Sequence, residues 1–201
     1  MMEYFSIIIF AIFVSNYVLA KFLGLCPFVG VSKKLDSAIG MGAAVTFVMT
    51  LAALATYLIY VFILDPLQIQ YLDTLSFILV IASLVQFVEM VLEKFFPHLH
   101  KSLGIYLPLI TTNCAILGLA QLNIQYLADA KYDFNFIKCL LHGFAAGIGF
   151  TLALVLMAGI RERLEFANIP KAFQGAPTTF LAAGLMALAF QGFANLVTLT
   201  H

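Results

Sequence analysis

Six apolar stretches, at roughly 4–25, 38–63, 74–95, 102–124, 136–160 and 178–199, decide the class of this chain before any motif is considered. A helix needs about 20 apolar residues to cross a hydrocarbon layer of roughly 30 Å, and each stretch meets that length. Of the 201 residues, 63% are apolar and 10% charged, against roughly 25% charged in soluble domains. The expected fold is all-α: a polytopic membrane protein of six transmembrane helices, with little chain left for a soluble domain. The first stretch opens with Glu3, carries no Lys or Arg ahead of its apolar run and is followed by no small-residue cleavage site, so it reads as a retained helix and not a secretory signal.

Orientation follows from the Lys and Arg of the short loops. Lys33 and Lys34 follow helix 1, Lys94 and Lys101 lie between helices 3 and 4, and Arg161, Arg163 and Lys171 follow helix 5, which puts seven basic residues on one side. The other side holds Lys131 and Lys138, and its short loop around Asp65 and Asp73 has none. Both termini are therefore expected on the non-cytoplasmic side. Acidic and basic residues balance at ten each, so no basic footprint for nucleic acid exists, and the partners to expect are other membrane proteins of one assembly.

Two segments match across the chain: Gly24-Leu25-Cys26-Pro27-Phe28-Val29-Gly30 and Thr112-Asn113-Cys114-Ala115-Ile116-Leu117-Gly118, each with Cys-x-x-x-Gly. Small residues then open the next helix of each half, Gly40, Gly42, Ala43 and Ala44 against Gly143, Ala145, Ala146, Gly147 and Gly149, a pattern that lets membrane helices pack backbone to backbone. Gln86-Phe87 against Gln191-Gly192-Phe193 is a weaker third match. We read one membrane domain, 1–201, of two repeats, about 1–96 and 97–201. Three helices per repeat, an odd number, make the second half enter the membrane from the opposite side. An in-plane pseudo-twofold axis brings Cys26 and Cys114 together only near the midplane, so helices 1 and 4 are expected to be interrupted there. Pro27 and Pro108, with Gly24, Gly30, Gly104 and Gly118 nearby, supply the means.

Cys139 has no counterpart in the other repeat and reads as packing. Cys26 and Cys114 recur at matching places, where a thiolate needs a cation or metal to stay charged in low dielectric. Metal or cluster ligation explains their glycine-flanked setting better than a disulfide. An iron–sulfur cluster commonly takes four cysteines, and this chain offers two that can converge, so half the ligands must come from elsewhere. Asn16, Lys21 and Glu89 are polar or ionisable residues within spans. Lys21 can snorkel to the surface, and Glu89 lies near Glu93 and Lys94 at a helix end. His98, His100, His142 and His201 read as solvated or packed. No nucleotide fingerprint, catalytic triad or paired-carboxylate arrangement occurs, and Gly147-Ile148-Gly149 belongs to an apolar helix.

The runs Leu19-Ala20-Lys21-Phe22-Leu23-Gly24-Leu25-Cys26-Pro27-Phe28, Val31-Ser32-Lys33-Lys34-Leu35 and Leu107-Pro108-Leu109-Ile110-Thr111-Thr112-Asn113-Cys114-Ala115 closely resemble the A-subunit family of the Rnf electron-transport complex. The resemblance runs through all six helices. The E-type member of the sodium-pumping NADH:quinone reductase shares both cysteines, but Lys21 and Cys26-Pro27-Phe28 look like the Rnf member. The resemblance implies a non-autonomous component of an ion-translocating ferredoxin:NAD+ oxidoreductase in the bacterial cytoplasmic membrane, moving Na+ or H+. It implies pairing with a homologous protein of opposite topology, the Rnf E subunit, alongside the B, C, D and G subunits. It further implies a [2Fe–2S] cluster shared by the pair, with Cys26 and Cys114 as this chain's ligands and no flavin or nicotinamide on this chain. Thr111, Thr112 and Asn113 are placed either to tune the potential of such a cluster by donating hydrogen bonds toward its sulfurs or simply to satisfy backbone at an interrupted helix, and Gly24 also borders the site. A competing reading, a small secondary transporter whose inverted repeats enclose a substrate, fits the cysteine pair less well.

Overall fold

A computed structural model describes residues 2–67, 70–95, 107–128, 135–167, 170 and 173–193, and among these there is no β-strand. Helix α1, Met2–Ile9, runs on as a π-helical segment, Phe10–Val14. After an irregular stretch comes the short α2, Leu25–Val31. Helix α3 spans Leu35–Ile59 and also continues as a π-helical segment, Tyr60–Leu64. Helix α4 spans Asp73–Phe95, α5 Leu107–Thr111, α6 Cys114–Ala128, α7 Phe136–Glu165 and α8 Ala176–Gln191.

Three described helices are long and apolar enough to cross a membrane: Leu35–Leu64, Asp73–Val91 and Phe136–Glu165. Tyr4–Val14 and Ala176–Gln191 are shorter apolar helices, and the expected fourth stretch is divided between α5 and α6. His98, His100, Lys101, Gly104, Lys131, Lys171 and His201 lie outside the described residues. Large apolar side chains such as Phe62, Leu75, Phe180 and Leu188 stand exposed on the outer surface. In water such a surface would drive association; for a membrane protein it is the face that lipid and neighbouring proteins cover.

The centre of the molecule is the crossing of α3 and α7, its most extensive helix pair. Both helices carry Gly-x-x-x-Thr, Gly42 and Thr46 in α3, Gly147 and Thr151 in α7. The contact is reciprocal: Gly42 faces the side chain of Thr151, and Gly147 faces Thr46. Gly143 then faces Met49, Thr50 and Ala53, so the partners run in opposite sequence directions and the helices are antiparallel. Where they touch, a Cβ on Gly147 would stand 2.6 Å from Thr46 Cα, closer than any carbon pair tolerates. Each threonine donates to its own glycine's carbonyl, Thr46 to Gly42 at 2.7 Å and Thr151 to Gly147 at 2.9 Å, and the two hydroxyls lie 3.2 Å apart. Neither hydroxyl is left bare against lipid, where an unpaired one is expensive.

Around this pair the remaining helices exchange sides. Helix α1 and its π-helical extension pack on α7, whereas α6 packs on α3. Helix α4 lies against α3 and α6, and α8 against α7 and the π-helical end of the first helix. The buried core runs between them, with Val45, Met49, Phe77, Phe150, Leu154 and Met157 fully enclosed.

Opening the crossing should cost stability where no side chain can give way. Gly147→Ala is expected to destabilise the protein by about 1–3 kcal/mol in a detergent unfolding titration. Gly159→Ala, on the same helix with open space around it, should be neutral or stabilising by up to about 1 kcal/mol.

Candidate cysteine site at two helix interruptions

The first helix stops at Ser15, whose N–H closes the π-helical segment on Phe10 O at 2.7 Å. The next residue, Asn16, is completely buried. Its Oδ1 accepts from the N–H groups of Val18 (3.0 Å) and Leu19 (3.3 Å), and its Nδ2 donates to Ile12 O (3.1 Å) and Gly149 O (2.8 Å). All the hydrogen-bonding positions of the carboxamide are used. One side chain thus replaces the lost backbone ladder and ties the interruption to α7. The chain then doubles back, with Leu23 N–H donating to Tyr17 O at 2.8 Å, and passes through left-handed backbone at Phe22 (φ 56°) and Gly24 (φ 81°) before α2 begins.

The second interruption is shorter. Helix α5 ends at Thr111, and the N–H groups of Thr112 and Asn113 still donate to Pro108 O (3.1 Å) and Ile110 O (3.3 Å). Asn113 then caps α6, its Oδ1 accepting from Ala115 N–H at 3.0 Å. The Thr112 hydroxyl donates to Pro108 O at 3.0 Å. The side chain of Thr111 lies outside the described residues.

Pro27 acts differently from the sequence expectation. It sits in the first turn of α2, where an N–H has no intrahelical partner to lose, and Pro108 lies within α5, ahead of the second break. The breaks are made by Asn16 and Asn113. Gly30 and Gly118 likewise lie inside α2 and α6.

The two interruptions abut. A Cβ on Gly24 would stand 2.9 Å from Asn113 Oδ1, 2.8 Å from Phe150 Cε2 and 3.3 Å from Ala115 Cβ. Only glycine fits there, for space and for its positive φ. Leu23 presses in the same way on Gly118. Cys26 in the first turn of α2 and Cys114 as the first residue of α6 are both free thiols exposed on the surface of the chain. Among the described residues no three His, Cys, Asp or Glu side chains gather as a metal site. The arrangement is a pair of soft ligands on the surface, beside a buried amide, and it suits half of a cluster's ligand set.

Comparison with known proteins settles the family. The family model for the Rnf-Nqr subunit, a membrane protein, matches residues 4–197. The chain belongs to the Rnf-Nqr family of membrane subunits. It is 57% identical over 190 residues to the A subunit of the Na(+)-translocating ferredoxin:NAD(+) oxidoreductase complex of Acetobacterium woodii, covering 94% of this chain and 96% of that protein. It is 55% identical to the A subunit of the ion-translocating oxidoreductase complex of Vibrio atlanticus, over 98% of this chain and 100% of that one. The corresponding protein of Ectopseudomonas mendocina gives 55% identity, over 99% and 100%.

In this Rnf-Nqr chain the remaining polar residues are mostly structural. Cys139 is buried, its Sγ accepting from Asn123 Nδ2 at 3.3 Å and donating to Ala53 O at 3.6 Å. His142 is also buried; its Nδ1 lies 2.6 Å from Asn123 Oδ1, and its ring packs on Tyr17 and Tyr126. His142 is packed, as its sequence context suggests, yet it belongs to a network that sequence reasoning misses. Asn123, a polar residue within an apolar stretch, is the signal that could have found it. Lys21 sets its Nζ 5.5 Å from the centre of the Tyr17 ring, and Glu89 is half-buried on α4. At the end of α7, Arg161 Nη1 donates to Val29 O (2.7 Å) and Ser32 Oγ (3.0 Å), and Glu162 accepts from Leu35 N–H (3.2 Å). The basic segments after α2 and at the end of α7 therefore share one end of the molecule.

Because Asn16 carries the first interruption, Asn16→Ala should leave buried groups unpaired and cost about 1–3 kcal/mol. A lowered unfolding midpoint in mixed micelles checks this; an unchanged midpoint would show that the break holds itself.

Proposed function

We propose that this chain is the A subunit of a bacterial ion-translocating ferredoxin:NAD+ oxidoreductase. In this reading it is a six-span protein of two inverted repeats in the cytoplasmic membrane, with both termini outside. Cys26 and Cys114 hold half of a [2Fe–2S] cluster whose other ligands come from a homologous partner of opposite topology. The observation that carries it is the pair of exposed thiols, each in the first turn of a helix, on two chain interruptions that touch. Relatives of matching length bear the name of that complex and that component. The reciprocal Gly42–Thr151 and Gly147–Thr46 contacts, the antiparallel α3/α7 crossing and the exchange of sides by the outer helices support the inverted repeat. The bond from Arg161 to Ser32, next to Lys33 and Lys34, supports the orientation.

Each residue then has a task. The thiolates of Cys26 and Cys114 bind iron, and the positive end of the α6 helix dipole favours the negative charge that collects there. Asn16 and the α3/α7 crossing fix where the first interruption lies, and Gly24 leaves room for Asn113 beside it. When bound, the cluster carries one electron and divides a crossing of roughly 30 Å into two shorter transfers. The protein's share is to hold the site, keep water away and set the potential. Coupling to Na+ or H+ movement belongs to the complex, together with the B, C, D and G subunits.

Anaerobic purification with the partner protein, followed by iron analysis and electron paramagnetic resonance, tests the proposal. A [2Fe–2S] signal is expected, absent in Cys26→Ser and Cys114→Ser and retained in Cys139→Ser. A complete complex without iron would refute it.

A further inference from the structure

Asn113 is 4% exposed, and its Nδ2 is one of two buried side-chain polar atoms without a hydrogen-bond partner among the described residues. Which end of the amide is which follows from chemistry. The atom facing Ala115 N–H at 3.0 Å must be the acceptor, so the bare atom is the NH2 group. Leaving a buried donor unpaired costs about 1–3 kcal/mol, which a merely structural cap would avoid: Asp caps a helix as well, without a surplus donor. The amide lies next to Cys114 in sequence, and its Oδ1 reaches the backbone of Gly24, two residues before Cys26. It therefore sits where the two cysteine-bearing segments meet.

The neighbouring Thr112 hydroxyl is already committed, donating to Pro108 O. In the matching segment of the first half, Leu25 stands where Asn113 does, so the donor has no counterpart beside Cys26.

Resting on the cluster reading above, we infer that Asn113 is a positioning residue whose NH2 group, enclosed within this chain, donates a hydrogen bond to the Cys114 thiolate sulfur of the bound cluster, raising its reduction potential. Hydrogen bonds to cluster or ligand sulfur stabilise the more negative, reduced state, which is one of the protein's means of setting a potential. Because Leu25 offers nothing equivalent, this chain tunes its two ligands unequally.

The test uses the complex purified with its partner protein, its asparagine labelled with 15N, and two readouts on the reduced cluster: hyperfine spectroscopy and an EPR-monitored redox titration. The wild type should show a weak 15N coupling. In Asn113→Ser, which keeps a cap for Ala115 N–H, that coupling should vanish and the midpoint potential should shift downward. If the serine variant assembles no cluster, Asn113→Asp, which also keeps the acceptor and lacks the NH2 group, takes its place for the coupling. A wild-type cluster with no asparagine coupling, or a coupling and potential unchanged in the variant, overturns this inference and leaves the cluster standing. A wild-type complex with no cluster signal overturns the cluster reading itself and this inference with it.

Discussion

A helix that stops within apolar surroundings leaves N–H and C=O groups that no water can reach, and this fold depends on how those groups are satisfied. Asn16 does so at the first interruption with every hydrogen bond its carboxamide can make, one of them to Gly149 O on α7. Gly149 can accept that approach because the first helix, at Ala11 and Ile12, comes down almost onto its backbone. Helix α7 is in turn fixed by the Gly–Thr crossing with α3, where a methyl group would already be too large. The interruption that carries Cys26 therefore inherits its position from the tightest packing in the molecule.

The two interruptions solve one problem unequally. The first takes about ten residues, from Ser15 to Gly24, and includes two residues in left-handed backbone. The second takes Thr112 and Asn113 alone. Their meeting point is built from small contacts, Gly24 on Asn113 and Leu23 on Gly118, so both cysteines emerge on the surface instead of in the core. Exposure is what a ligand pair shared with a second protein requires; two thiols buried like Cys139 could serve only this chain.

Much of this was legible in the sequence. Segment lengths point to the helical membrane class, and the repeated Cys-x-x-x-Gly singles out Cys26 and Cys114 over Cys139. The small residues at 40–44 and 143–149 point to the close packing of α3 on α7. The causes of the interruptions are harder to read, because proline's habit of breaking helices hides its equal fitness for a first turn. Asn16 stands out as a polar residue in an apolar span, but its partner Gly149 is 133 residues away, and no local pattern encodes that. The Asn123–His142–Cys139 network escapes the sequence for the same reason: its members come from different helices and only the fold brings them together.

The central claim is that Cys26 and Cys114 form one site on one face of this chain. Cross-linking tests it most directly, in membranes stripped of iron and in a Cys139→Ser background, with a short membrane-permeant reagent that joins two thiols. Mass spectrometry should then find Cys26 bridged to Cys114 within a single chain. Separate modification of both cysteines with no bridge between them would contradict the account.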